Sequence, residues 1–221
     1  VIEWINQTDA DILCFQEYYP LKDIGQRIKS GGNYYESMDE EAFHVAIYSK
    51  YPIVDEGLVF ADDRLNNIRF ADIKIKTDTI RVYSVHLQSM GINPDLIQDS
   101  EGIKSEYENI TNRFVNGSRG RTEQLKSLLE HIDNCNYPVI LAGDFNDVPF
   151  SYNYFRMRGV LKNTFEEAGS GFGITYNGKI PYLRIDNQFF SEGLEALSFS
   201  TLNDIKYSDH FPLVGKYRIT E

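Results

Sequence analysis

The segment that follows Pro138 ends in side chains that can do chemistry. Four apolar residues after this proline predict a short buried strand, and Gly143 allows a tight turn behind it. Asp144 and Asn146 then stand two residues apart, so in an extended chain they point to the same side. Carboxylates and amides past the carboxyl end of a buried strand are typical of sites in α/β sheets. Asp and Asn also favour turns, so this segment alone fits a turn as well as a site.

Four other segments of the chain have a similar arrangement. In each, a short and mostly apolar run leads into carboxylate, amide or imidazole groups: Gln16 and Glu17 after 12–15, His86 and Gln88 after 82–85, Asp186 after 183–185, and Asp209 and His210 after 207–208. The pattern predicts that these groups lie at the ends of strands. Five such clusters in one chain favour a shared functional site over five unrelated turns.

Size and composition indicate one well-packed unit. The chain has 221 residues, of which 42% are hydrophobic and 14% aromatic, and this supports a substantial core. No linker, repeat or low-complexity run divides it, and the candidate site extends from Glu17 to His210, so we expect 1–221 to form a single domain. Because the chain begins at Val1 inside a predicted helix, we expect residues upstream of it, and the cellular compartment stays open.

The charge narrows the range of substrates. A net charge of −11 disfavours nonspecific binding to nucleic acid, which depends on lysine and arginine contacts with phosphates. A local basic strip or a bound divalent cation can still serve an anionic substrate. Two cysteines cannot form a disulfide framework, and Cys14 falls in a predicted strand, where a small buried apolar role is favoured. The glycine-rich segment 169–173 does not follow a strand and open a helix, which argues against a phosphate-binding loop.

The elements that must position these groups follow from hydrophobic spacing. Helices are predicted over 1–7, 21–30 and 118–132 and after a Ser151 cap, and strands over 12–15, 43–49, 69–76, 79–86, 139–142 and 214–218. The segment 92–115 is helical in character and is either an insertion beside the site or a solvated connector. Arg119 and Arg121 follow it and either bind phosphate, lie in solvent or pair with nearby acids.

In this order, the motifs resemble those of the endonuclease/exonuclease/phosphatase superfamily, which includes DNase I-like nucleases, inositol polyphosphate phosphatases and neutral sphingomyelinases. The matching segments are QE at 16–17, HLQ at 86–88, GDFN at 143–146, RID at 184–186 and SDHFP at 208–212. The resemblance covers nearly the whole chain. It implies an α/β (α+β) four-layer sandwich of two packed mixed β-sheets flanked by helices. It also implies a first strand that would precede residue 1.

The resemblance further implies hydrolysis of a phosphoester by in-line attack of water, with Mg²⁺ or Mn²⁺ as cofactor. Glu17 would be the principal metal ligand, with Asp209 close to the ion, since hard carboxylate oxygens suit Mg²⁺. Asp144 would accept a proton from the attacking water, and Asn146 would position water or phosphate.

Two histidines have roles implied in the same way. His210, oriented by Asp186, would stabilise the phosphorane-like transition state, as an aspartate orients an imidazole in other hydrolases. His86 would contact the scissile phosphate or assist the leaving oxygen, although a lone histidine is more often structural.

We favour a small-molecule or lipid-headgroup phosphoester as the substrate. The acidic charge favours this choice, as do Tyr18 and Tyr19, where nucleases of the family tend to carry a basic residue, and the His86 motif, where abasic-site endonucleases have a tyrosine motif. The alternative is an endonuclease or exonuclease that cuts DNA or RNA. An inactive binding or scaffold domain is the alternative of another class, and the intact set of acids and imidazoles argues against it. No protein partner is predicted, and membrane association stays undetermined.

Overall fold

The computed structural model describes residues 1–19, 22–38, 44–61, 66–89, 100–180 and 182–220. The helices are α1 (Ile2–Gln7), α2 (Lys22–Gly32), α3 (Ser100–Asp133), α4 (Tyr152–Arg158) and α5 (Thr164–Ala168). The strands are β1 (Ile12–Tyr18), β2 (Tyr35–Ser37), β3 (His44–Ser49), β4 (Ile53–Ala61), β5 (Asn67–Ile75), β6 (Asp78–His86), β7 (Val139–Asp144), β8 (Lys162–Asn163), β9 (Asp186–Phe190), β10 (Leu194–Thr201) and β11 (Leu213–Ile219).

A six-stranded sheet forms the centre of the molecule. Its strand order is β4-β5-β6-β7-β9-β8; β6 and β7 pair in parallel, and the other neighbours pair antiparallel. A second layer contains the antiparallel sheet β1-β3-β2 and the separate antiparallel pair β10-β11. The predicted sandwich is confirmed, but the second layer is antiparallel and divided where one mixed sheet was expected.

Alternating side chains give the central sheet two apolar faces. Ile140 of β7 packs with Ile47 of β3 and Leu194 of β10 in the core between the sheet layers. The residues next to Ile140 in β7, Val139 and Leu141, pack on the opposite face under α3 and α4. A third cluster joins α1 and α2 to the outer face of β3. The period of two in each strand therefore builds four layers.

Helix α3 differs from its prediction. The sequence predicted a new helix at residue 118, whereas α3 runs without a break from Ser100 to Asp133, and residues 92–99 of the predicted insertion lie outside the described ranges. Gly120 inside a helix costs about 1 kcal/mol, which the burial of Leu125 and Leu128 offsets. Any side chain at residue 120 would overlap the Gln88 side chain. Across the described part of the chain, none of the helices is both long and apolar enough to cross a membrane.

Gly143 gives the first testable prediction. It has a φ of 152°, and a Cβ at this position would overlap the carbonyl oxygen of Val85 on the neighbouring strand. Gly143→Ala should therefore lower the free energy of unfolding by about 2 kcal/mol or more, because β6 and β7 would have to move apart. Denaturant unfolding measures the effect.

Gly171→Ala is the matched control, because Gly171 has a φ of 79° but no atom within 4 Å of a built Cβ. Gly171→Ala should lower the free energy of unfolding by only about 1 kcal/mol, because alanine disfavours this backbone conformation but meets no steric overlap. Equal losses in the two variants would show that the approach of β7 to β6 does not require glycine.

Candidate active site

Three of the predicted site residues lie side by side on adjacent strands. The parallel pairing of β6 with β7 sets His86 opposite Asp144, and the antiparallel pairing of β7 with β9 sets Asp144 opposite Asp186. Asp144 lies four residues after Ile140, so both side chains point toward the layer between the sheets. Similarly, Ile68 pairs with Val85, which places Asn67 next to His86 at the same edge.

Two acidic motifs reach this edge in a way that differs from the prediction. Asp186 does not follow a strand: it is the first residue of β9, and 183–185 are not part of a strand. It still lies beside Asp144, because the beginning of an antiparallel strand shares an edge with the end of its neighbour. The segment 207–208 is not a strand either, and His210 is held by an isolated bridge to Tyr176.

Glu17 is placed by a β-bulge. The prediction that it follows β1 is wrong, because β1 continues to Tyr18. Phe15 pairs with Ala46 and Tyr18 with His44, so β1 carries one extra residue here, and Glu17 has a φ of 50°. Regular alternation would send Glu17 to the outer side with Phe15. The bulge instead brings Glu17 Oε1 to 3.9 Å from His86 Nε2.

The centre of the site is buried. Asp144 is 6% exposed, and its Oδ2 lies 3.8 Å from His86 Nε2. Its Oδ1 accepts the backbone N–H of Asn146 at 2.7 Å, and the Asn146 side chain donates from Nδ2 to the Leu87 carbonyl at 2.9 Å. Asn146 is therefore tied to the residue that follows His86. Its Oδ1 and second amide hydrogen are the groups with which it could position water or phosphate.

His210 and Asp186 form a hydrogen-bonded pair. His210 Nδ1 lies 2.9 Å from one carboxylate oxygen of Asp186 and 3.0 Å from the other. Because Nδ1 is used in this contact, Nε2 is the ring nitrogen that can reach a substrate. The Tyr176 ring packs edge-on against the imidazole, with 5.2 Å between the centroids. Asp186 in turn is held by its backbone N–H, which donates to Thr175 Oγ1 at 3.1 Å.

Charges in the site shift two pKa values. Burial by itself lowers the pKa of His210, but the hydrogen bond with Asp186 and the charges of Asp186, Asp144 and Asp209 raise it to about 9. Burial and the charge of Asp186 raise the pKa of Asp144 to about 8, although His210 and the Asn146 N–H oppose this. Without a cation, the surroundings therefore favour the protonated form of His210 and oppose ionisation of Asp144, relative to an ordinary imidazole and carboxyl group.

The donor groups fit a divalent cation. Asp144, Asp186 and His210 each offer one ligand atom within 4.8 Å of the others, although His210 Nδ1 already bonds Asp186. Glu17 adds a carboxylate that is 65% exposed, and Asp209 is an exposed acid whose charge acts on His210. Carboxylate oxygens are the ligands that Mg²⁺ prefers, and a cation would stabilise acids that otherwise repel one another.

Two polar side chains near the beginning of β5 contact other parts of the protein. Asn66 donates from Nδ2 to the Leu87 carbonyl at 3.0 Å, and Arg69 donates to Ser37 Oγ at 3.1 Å. Thr175 is a supporting residue that sequence reasoning missed: it is fully buried, and its hydroxyl accepts the N–H groups of two successive residues, 185 and 186. No local pattern marks it, because its partners lie ten and eleven residues later.

Comparison with known families identifies the class of protein. The model of the Endonuclease/Exonuclease/phosphatase family matches residues 1–210, so the chain belongs to this family. Members of the family are hydrolases that act on phosphoesters and generally use divalent metals. A comparison with curated protein sequences gave no significant match.

Solved structures share the fold at low sequence identity. A conserved protein of unknown function from Enterococcus faecalis V583 has a TM-score of 0.72 and 18% identity, over 99% of this chain and 89% of that one. The mannosyl-6-phosphatase Bt3783 of Bacteroides thetaiotaomicron gives 0.70 and 19%, with the same coverage. TDP2 of D. rerio, complexed with a single-strand DNA product, gives 0.69 and 16%, over 98% of this chain and 89% of that one. At these identities the likeness shows the fold alone.

The raised pKa of Asp144 leads to a stability prediction. The unfolded chain releases this proton near pH 4, whereas the folded metal-free protein keeps it until about pH 8, so folding becomes less favourable as the pH rises through this interval. In Asp144→Asn the side chain cannot ionise, so the variant does not lose this stability as the pH rises. In EDTA the variant should be more stable than wild type by several kcal/mol at pH 8 and by only about 1 to 2 kcal/mol at pH 5, because each pH unit between the two pKa values is worth about 1.4 kcal/mol.

Thermal and denaturant unfolding at several pH values measure this difference. Asp133→Asn, which changes an exposed acid at the end of α3, should change stability little at any pH. If the extra stability of Asp144→Asn did not increase between pH 5 and pH 8, the raised pKa of Asp144 would not be its cause.

Proposed function

We propose that this protein is a divalent-metal-dependent phosphoester hydrolase that uses in-line attack of water. The observation that supports the proposal most directly is the row His86–Asp144–Asp186, which strand register sets at one edge, with His210 bonded to Asp186. A structural network would not need two imidazoles and several acids gathered at one edge of the sheet. We also propose that 1–221 act as one catalytic domain, because the row and its neighbours come from both halves of the chain.

In the proposed mechanism, Asp144 receives a proton from the attacking water. Its Oδ1 is fixed by the Asn146 N–H, so Oδ2, on the side of His86, is the oxygen that faces the reaction. Asn146 orients the water or a phosphoryl oxygen. His210, charged at neutral pH and held by Asp186, donates from Nε2 to the negative charge that develops in the transition state. His86 contacts the scissile phosphate or the leaving oxygen.

Glu17 and Asp209 are the proposed metal ligands. When bound there, Mg²⁺ or Mn²⁺ would polarise the phosphoryl oxygens and favour the ionised form of Asp144. The carboxylate of Glu17 reaches the site only through the β-bulge, and its exposure leaves it accessible to an ion. The compact group of Asp144, Asp186 and His210 is the competing ligand set.

A small-molecule or lipid-headgroup phosphoester is the proposed substrate. Arginines that could serve a polyanion are used within the protein: Arg69 bonds Ser37, and Arg81 pairs with Asp72 through two hydrogen bonds of 2.6 and 2.7 Å. The net charge of −11 points the same way. A nuclease is the alternative, and the complex of D. rerio TDP2 with a single-strand DNA product shows that this fold accommodates DNA in that protein. A scaffold without turnover is disfavoured by the complete set of reactive groups.

The two candidate sets of metal ligands, Glu17 with Asp209 and the compact group of Asp144, Asp186 and His210, lead to different expected effects of substitution. If Glu17 is a principal ligand, Glu17→Gln should raise the Mg²⁺ concentration for half-maximal activity at least tenfold, because a neutral amide binds the ion more weakly. Asp186→Asn should instead lower kcat by about a hundredfold at saturating Mg²⁺, because His210 loses its orienting partner. Activity against Mg²⁺ concentration separates the two effects.

Glu3→Gln, an exposed glutamate of α1, should behave as wild type in the same titration. The compact set would be favoured instead if Asp186→Asn weakened Mg²⁺ activation while Glu17→Gln did not.

A substrate panel tests the reaction itself. We expect Mg²⁺-dependent hydrolysis of bis-(4-nitrophenyl) phosphate, a phosphomonoester or sphingomyelin, abolished by EDTA and reduced at least about a hundredfold in Asp144→Asn, because the proton acceptor is lost. Supercoiled plasmid should be cut poorly. Between 50 and 200 mM salt, small-substrate turnover should change less than about threefold, whereas cutting by a duplex nuclease falls by orders of magnitude.

Asp133→Asn is again the control that should retain activity. Efficient, strongly salt-dependent plasmid cleavage would favour the nuclease. Absence of turnover on the whole panel by folded, Mg²⁺-binding protein would favour the scaffold.

A further inference from the structure

A buried arginine of α3 contacts both segments that carry the central site residues. Arg121 is only 1% exposed. Its Nη1 donates to the Gln88 carbonyl at 2.9 Å, and its Nε lies 3.4 Å from Asp147 Oδ2. Gln88 is two residues after His86, and Asp147 directly follows Asn146. One side chain therefore connects the end of β6 to the loop after β7.

Neighbouring side chains reinforce both contacts. Gln124, one helical turn after Arg121, accepts the backbone N–H of Gln88 through Oε1 at 2.8 Å. On the other side, Asn153 of α4 donates from Nδ2 to Asp147 Oδ2 at 3.1 Å, the oxygen that also faces Arg121. Gln88 and Asp147 are thus each held by two partners from helices that pack on the central sheet.

The backbone of Leu87 connects the restrained residue Gln88 to the site residues Asp144 and Asn146. Its N–H donates to the Asp144 carbonyl at 2.9 Å, and its carbonyl accepts from Asn146 at 2.9 Å and from Asn66 at 3.0 Å. A displacement of this short segment would therefore move His86 relative to Asp144 and Asn146, and these are the groups whose spacing the proposed mechanism needs.

Packing alone gives no reason for a cation at this position. Leu125 and Leu128 of the same helix fill the core under the sheet with apolar side chains. Burial of a guanidinium costs several kcal/mol in lost hydration, which its bonds to protein only offset. What Arg121 adds over an apolar residue is a hydrogen bond to one segment, at Gln88, and an ion pair with another, at Asp147.

We propose that Arg121 is a positioning residue that sets the spacing between His86 and Asn146 without touching the substrate. The proposal rests on the hydrolase function proposed above. It predicts that loss of the guanidinium lowers the rate of the chemical step and leaves substrate and metal binding nearly unchanged.

Kinetics of Arg121→Met and Arg119→Gln test the proposal. Arg119 lies on the same helix but is exposed, so it is the matched control. Arg121→Met should lower kcat 10- to 100-fold, because a displacement of about 1 Å can cost that much. KM and the half-maximal Mg²⁺ concentration should stay within about threefold, and Arg119→Gln should match wild type. In Arg121→Ala, added methylguanidinium should restore part of kcat, which a general loss of folding would not allow.

Two further measurements distinguish a positioning role of Arg121 from a general effect on stability. The second of them does not depend on the proposed hydrolase activity. Arg121→Met/Asp147→Leu removes the buried guanidinium together with its partly buried partner charge, so it should regain stability but keep the low kcat. Hydrogen exchange should be at least tenfold faster at the amides of Leu87 and Gln88 in Arg121→Met, and unchanged at Ile47 of β3.

Wild-type kcat in folded Arg121→Met would overturn the proposal. If wild-type protein hydrolyses no phosphoester, the proposed function fails by itself. Exchange at Leu87 and Gln88 still decides the positioning role in that case, since unchanged exchange would overturn it.

Discussion

The parallel pairing of β6 with β7 is the constraint on which the rest of the structure depends. It sets His86 beside Asp144, and it requires the two strands to approach so closely at Gly143 that no side chain fits there. Parallel neighbours cannot be joined by a tight turn, so the chain must cross over between them. The connection contains α3, which covers one face of the sheet and places Arg121 between the segments that follow the two strands. The topology that creates the row of site residues therefore also supplies the helix that supports it.

The site gathers charges that destabilise the folded chain. Asp144 and Asp186 are buried next to each other, and Glu17 contributes a further negative charge to Asp144. The positive charge of His210 and the backbone N–H of Asn146 offset only part of this unfavourable burial and repulsion. The pKa of Asp144 therefore remains well above that of an ordinary carboxyl group. Such an arrangement suits the proposed function, because fixed charges that repel one another in the absence of a cation can stabilise a cation and the charge that develops in a transition state.

The fold alone does not select a substrate. Structures with nearly the same TM-score include a mannosyl-6-phosphatase and a protein complexed with a single-strand DNA product, both at less than 20% identity. What differs among proteins that share a fold is the set of side chains around the site. In this chain Arg69 and Arg81 pair inside the protein, and Tyr18 and Tyr19 follow the acid at residue 17. The proposal of a small phosphoester substrate therefore rests on these side chains and not on the architecture.

The sequence by itself determined the order of the motifs and most of the strands and helices, because hydrophobic alternation and motif spacing are local properties of the chain. The family and the four-layer sandwich followed from the resemblance of those motifs to a known family, since alternation alone does not select an architecture. Ser151 caps α4 as predicted, whereas β7 continues to Asp144, two residues beyond the predicted end of its apolar run. Only the tertiary structure decided how Glu17, Asp186 and Arg121 are used. The bulge that turns Glu17 inward depends on pairing with β3, the position of Asp186 depends on the direction of β9, and the burial of Arg121 depends on two loops far away in sequence. Contacts between distant segments leave no periodic signal in a single sequence, so these three placements required the folded chain.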